Sequence, residues 1–119
     1  MVNLKLAESE YRFMVVVWDN EPIESGQLVK LCADKLGWKK STTYTVLRRM
    51  QEKGLLKNED TVVTSIVPKE EVQAYESEYF IDKTFAGSLP LFLTSFLGGK
   101  TISATQAEEI KRLIDAHRG

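Results

Sequence analysis

The hydrophobic pattern changes period at Gly54, from 3.6 to 2, and that switch constrains the fold more than any other feature of the chain. Upstream, in WKKSTTYTVLRRMQEKGLL (residues 38–56), Thr43, Val46, Leu47 and Met50 recur at i, i+3, i+4 and i+7, one stripe of a helix. Ser41 is placed to cap that helix, and Gly54 to end it in a left-handed conformation. Downstream the period is two. Leu55-Leu56-Lys57 and Val62-Val63-Thr64-Ser65-Ile66-Val67 read as short strands around the turn-rich Asn58-Glu59-Asp60-Thr61, forming a hairpin.

Two helices are expected before this pair. Over Glu8–Trp18, Tyr11, Met14, Val15 and Trp18 share one helical stripe. The run Val15-Val16-Val17 is β-branched and suits a buried strand equally, so propensity and period disagree; the period predicts a helix. Asp19-Asn20-Glu21-Pro22 breaks the pattern. A second helix is expected from about Glu24 to Leu36, with Leu28, Leu31 and Cys32 inward, Lys30, Asp34 and Lys35 outward, and Gly37 as its stop. Cys32 reads as a buried structural thiol. Three helices and a hairpin form the winged helix-turn-helix arrangement, whose third helix enters the major groove.

Pro68 closes the hairpin and Lys69-Glu70-Glu71 opens a fourth helix reaching Phe85, carrying Tyr75, Tyr79, Phe80 and Phe85. A nearly all-apolar segment, Leu89–Leu97, follows with Leu89, Phe92, Leu93 and Phe96. Ser103 and Gln106 make a capping box for a last helix with Ile102 as staple, the stripe Ala107, Ile110, Leu113 and Ile114, and a Glu108–Arg112 pair on its wet side. The expected division is a winged-helix domain over 1–67 and a helical arm over 68–119. Fifty residues bury a poor core alone, and a segment apolar on most faces needs partners on several sides. A two-fold dimer is the economical solution, with Tyr75, Tyr79, Phe80, Phe85, Leu89, Phe92, Leu93, Phe96, Ile110, Leu113 and Ile114 at its interface; packing back onto the first helix is the alternative.

The charge is distributed to match. The whole chain carries a net −1, but Leu28–Lys57 holds eight basic and two acidic residues. A basic block in a mildly acidic chain is the pattern of one face that meets phosphate; a solvated helix face is the bland alternative. On the third helix, Thr42, Tyr44, Thr45, Arg48, Arg49 and Glu52 point outward or to the flanks. Hydroxyls near a helix start, with Lys39 and Lys40 before it and arginines one to two turns on, suit base edges and phosphates together.

Other classes fall away. One cysteine excludes a disulfide framework and a multi-cysteine metal site, and one histidine, His117, makes a multi-histidine zinc site or a His-based triad implausible. No phosphate-binding glycine loop and no nucleophile–base pair can be assembled, so no enzyme and no cofactor is expected. The start MVNLKLAESE lacks the apolar stretch of a signal peptide. The longest uncharged run, Thr84–Gly99, has 16 residues, short of the roughly 20 of a membrane span, so a cytoplasmic protein without membrane contact is expected.

In their order, these segments resemble a known family: the penicillinase and methicillin-resistance repressors (BlaI/MecI type), with the copper-responsive CopY repressors among their relatives. The resemblance is carried by Glu10, Met14 and Trp18, by Pro22-Ile23, by STTYTVLRRMQEKGLL at 41–56, by PKEE at 68–71, and by FAGS at 85–88 before the apolar helix and a final EEI–L helix. It implies a dimeric bacterial repressor occluding a palindromic operator on double-stranded DNA. Carried over by position, Thr42, Tyr44, Thr45 and Arg48 are operator readers, and Lys39, Lys40, Ser41 and Arg49 are phosphate contacts. It also implies a sensor or protease partner that acts on the bond matching Ser95–Phe96.

Three departures stand beside the match. The wing reads Asn58-Glu59-Asp60 with only Lys57 as a candidate DNA contact; Ala7 replaces a capping hydroxyl; and the Cys-rich tail of the copper-responsive branch is absent. The acidic wing leaves a second reading open, a winged helix that binds protein rather than DNA.

Overall fold

The computed structural model describes residues 2–119; Met1, with which the expected N-terminal domain begins, lies outside the described residues. The chain is mainly helical with a small antiparallel sheet and divides into two compact units, one ending at Tyr79 and the other Phe80–Gly119.

In the first unit, α1 spans Glu8–Asn20. The expected break at Asp19 gives way because the Asn20 side-chain amide donates to the Val16 carbonyl (2.8 Å), carrying the last turn on until Glu21, before proline, becomes extended. Helical period prevails over the β-branched run. The buried face, however, is Glu10, Phe13, Met14, Val16 and Val17 rather than Tyr11, Met14, Val15 and Trp18. Apolar residues cover so much of this helix that spacing alone fits both stripes. Tyr11 and Trp18 lie half-buried on its flank, their rings edge-on at 5.8 Å.

Glu24, expected to begin a helix, instead pairs in a short strand, β1 (Ile23–Glu24), that the sequence pattern did not reveal. Two residues are too few to show alternation. α2 (Ser25–Leu36) buries Leu28 and Cys32 with Leu31 half-buried, and ends at Gly37 with φ 70°. Burial pushes the Cys32 thiol up, with a contact from Thr43 opposing the shift.

α3 (Lys40–Glu52) buries Thr43, Val46, Leu47 and Met50, as the spacing predicts. Ser41 does not cap it. The helix starts two residues earlier than that role needs, Lys39 occupies the cap position in extended conformation, and its side chain offers no bond to the first turn. Gly54 follows with φ 83°, and the Leu55 N–H returns to the Met50 carbonyl (3.0 Å) to close the end.

The hairpin is tighter than expected: β2 is Leu56–Glu59, β3 is Val62–Ser65, and only Asp60-Thr61 turns the chain. Both turn residues have positive φ (51° and 65°), the primed geometry that matches strand twist. β3 is central in the order β1-β3-β2, with Ile23 opposite Val63 and Leu56 opposite Ser65. Three bonds fix the wing to the helical part: Ser65 donates from both its N–H and hydroxyl to Glu21 (2.7 and 2.8 Å), and the Ser25 N–H donates to the Thr61 carbonyl (2.8 Å). The core gathers Phe13, Met14, Leu28, Met50, Leu55, Val63 and Val72, the last from the start of α4 (Lys69–Phe85).

The second unit takes in the end of α4, α5 (Leu89–Leu97) and α6 (Ala104–His117), at the expected places. Ala86 and Gly87 turn the chain with φ 51° and 80°, and the Ser88 hydroxyl caps α5 by accepting the Leu91 N–H (3.1 Å). Ser103 caps α6 by accepting the Gln106 N–H (3.1 Å). The Glu108 carboxylate pairs with Lys111 (3.5 Å) rather than with Arg112, since i+3 lies on the same face as i+4. Phe80, Phe85 and Phe92 meet edge-on at 5.5–6.1 Å. None of the described residues of α5 or α6 is buried. Among the described residues no helix is long and apolar enough to cross a membrane.

Candidate nucleic-acid interface

Burying Thr43, Val46, Leu47 and Met50 fixes how α3 is rotated, and the opposite face follows from it. Lys39, Lys40, Ser41, Thr42, Thr45 and Arg48 are all exposed, the first two at the start of α3 and the others along it. Lys39 leaves the first-turn N–H groups without a side-chain cap, so the positive end of the helix opens beside two lysines. Anionic oxygen is the group such an end accepts.

The hydroxyls differ. Thr45 donates back to the Ser41 carbonyl (2.9 Å), so its oxygen is offered outward as an acceptor. Tyr44, expected among the outward residues, is half-buried with its ring against the core. Ser41, Thr42, Thr45, Val46 and Arg49 of α3 line a groove of about 380 Å³ together with Ser9 and Trp38.

Arg49 is not a free cation. Its Nη1 lies 3.3 Å from Oε2 of Glu10, and half of its side chain remains exposed. Glu10 itself is 3% exposed and collects three donors: Arg49, the Lys53 ammonium (2.9 Å) and the Ala7 N–H (2.8 Å). Burial pushes its carboxyl up, but the Ala7 N–H, Lys53 and Arg49 together outweigh that and hold it below the ordinary carboxylate range. The bond to Ala7 also supplies half of a capping box at a position whose own side chain cannot cap α1. Glu10 was legible only as an anchor of the family pattern; its spacing, three residues after the helix cap, was the available signal of this role.

Lys57, the wing's one cation of the expected set, sits on β2 rather than with the α3 group and pairs with Glu59 (3.6 Å). In the second unit, Tyr79's neighbour Phe80 is 46% exposed, and Leu89, Phe96, Leu113 and Ile114 are each more than half exposed. Ile110 is also exposed and Phe85, Phe92 and Leu93 are half-buried; in the first unit Tyr79 is exposed and Tyr75 half-buried. Ser95 and Phe96 lie exposed within α5.

Comparison with known proteins places this geometry. The family described as penicillinase repressor matches residues 6–116. The penicillinase repressor of Bacillus licheniformis is 21% identical over 118 residues, covering 96% of this chain and 92% of that protein. An uncharacterised 16.5 kDa protein of Latilactobacillus sakei is 25% identical over 116 residues, covering 94% and 80%. The solution structure of the DNA-binding domain of the repressor BlaI has the same fold, with a TM-score of 0.54, 22% identity, and coverage of 60% of this chain and 93% of that one.

Proposed function

The chain belongs to the penicillinase repressor family, and on that premise we propose that it is a DNA-binding transcriptional repressor that acts as a homodimer on a palindromic operator. The observation that carries this reading is the solvent face of α3. Two lysines, an uncapped helix start, three hydroxyl residues and Arg48 are presented together, away from the core that fixes them. In a major groove this face puts Thr42, Thr45 and Arg48 toward base edges, with Tyr44 on the flank, and Lys39, Lys40, Ser41 and Arg49 toward the backbone.

The winged-helix part, residues 1–67, is the DNA-binding half of this proposal and residues 68–119 the dimerisation half. The apolar side chains that α4–α6 leave in solvent support it, because a single chain gains little from ordering them there. Two copies related by a two-fold axis would set their third helices roughly 34 Å apart, one turn of duplex. The dimer works in the cytoplasm by occluding a promoter. Release by a sensor or protease acting at Ser95–Phe96 would need α5 to unwind locally, since both residues sit inside it.

A second reading, a protein-binding winged helix, is favoured by the wing, whose tip is Glu59-Asp60 and whose Lys57 is neutralised by Glu59. Selection of bound sequences from random duplex DNA separates the two. A recovered palindrome supports the repressor; no enrichment at low salt favours the interaction module.

A further inference from the structure

The buried carboxylate of Glu10 does more than start a helix: we propose that it is a positioning residue for operator binding, holding the Arg49 guanidinium at the mouth of the α3 groove so that it meets a DNA phosphate in a set orientation. This inference rests on the DNA-binding reading above.

The argument begins with how the two carboxylate oxygens are used. Oε1 accepts both the Ala7 N–H (2.8 Å) and the Lys53 ammonium (2.9 Å), which leaves Oε2 to Arg49. Lys53 is further tied to the Lys5 carbonyl (2.9 Å), and its own carbonyl accepts the Asn3 N–H (2.8 Å). The carboxylate is thus fixed by Ala7 at the start of α1 and by Lys53 at the end of α3 before Arg49 is considered. A guanidinium is a planar fork, so holding one amino group by a fixed oxygen orients the remaining donors as well. Arg49 lines the same groove as Ser41, Thr42 and Thr45. The rotamer freedom of Arg49 is therefore lost on folding instead of on binding, which favours association.

Charge and orientation predict opposite signs. Glu10 carries a negative charge near the face that meets phosphate, so on electrostatics alone Glu10→Gln should tighten DNA binding. If orientation dominates, the same change weakens it, and only while Arg49 is present.

The test measures affinity for the duplex recovered by the selection, using wild type, Glu10→Gln, Arg49→Met and the double variant. Glu10→Gln is expected to weaken binding about three- to tenfold, as freeing one long side chain would, and to add nothing in the Arg49→Met background. Val17→Ala, a loss in the same helix away from the cluster, should lower thermal stability and leave affinity unchanged. Should Glu10→Gln not fold, Glu10→Asp keeps the charge, shortens the reach, and is expected to give the same dependence on Arg49. Tighter binding by Glu10→Gln, an equal loss with and without Arg49, or an equal loss in Val17→Ala overturns the proposal. Wild type that binds no duplex overturns instead the reading beneath it.

Discussion

The indole Nε1–H of Trp18 donates to the main-chain carbonyl of Val67 at 3.0 Å, joining the last turns of α1 to the end of the hairpin across 49 residues of sequence. Val67 is 5% exposed, so water does not readily replace the indole. Trp18→Phe keeps most of the apolar contact and strands that carbonyl, which should cost about 1–3 kcal/mol. Urea unfolding should show a lower midpoint with an unchanged m-value; an unchanged midpoint would remove the bond from the account of stability.

Acid should act through Glu10. Its carboxyl lies below the ordinary range in the folded chain, with burial opposing and the Ala7 N–H, Lys53 and Arg49 prevailing. A folded-state value below the unfolded one contributes stability that is fully present above about pH 4.3 and is lost as pH falls through the folded value. Wild type should therefore lose its advantage over Glu10→Gln as pH drops below that point. At neutral pH the variant should be less stable by about 1–3 kcal/mol. Parallel pH profiles of the two proteins would contradict this.

Much of this was legible beforehand, and the reasons for the rest are physical. The α3 stripe, the positive φ at Gly54 and the three tail helices follow from period and stop residues, which are local properties of the chain. The α1 stripe was misplaced because Phe13 and Val17 compete with Tyr11 and Trp18 on a helix apolar around most of its surface. β1 stayed hidden because two residues carry no period, and its partner Val63 is 40 positions beyond Ile23. Ion-pair choices, Arg49 with Glu10 and Glu108 with Lys111, depend on rotamers and on distant residues that spacing does not specify. On the interface, exposure of Lys39, Lys40, Thr42 and Arg48 follows from the buried stripe, whereas the half-burial of Tyr44 depends on what its flank packs against.

The turn offers a stabilising change. Thr61 holds φ 65° and is exposed, a conformation unfavourable for a β-branched residue. Thr61→Gly removes that strain while its carbonyl still accepts the Ser25 N–H. Net of the added freedom of the unfolded chain, stability should rise by about 0.5–1 kcal/mol, seen as a higher melting temperature. A lower one would mean that the threonine side chain contributes more than its backbone costs.

Oligomeric state tests the arm. Leu113 is 61% exposed and Phe96 52% exposed, both within the apolar surface assigned to a second copy. Leu113→Glu and Phe96→Glu should each shift sedimentation equilibrium from dimer to monomer and leave the melting of the first unit intact. A wild-type protein that sediments as a monomer at all concentrations would contradict the dimer.

Arg48 on the open face of α3 gives the sharpest test of the central claim. The measurement is affinity of wild type and Arg48→Ala for the selected duplex and a scrambled one, each at two salt concentrations. The account predicts steep weakening of wild type as salt rises, and a loss of about 1–3 kcal/mol in Arg48→Ala with relaxed discrimination at one base pair. Equal affinity and equal selectivity in the two proteins, or wild-type binding indifferent to salt, would contradict it.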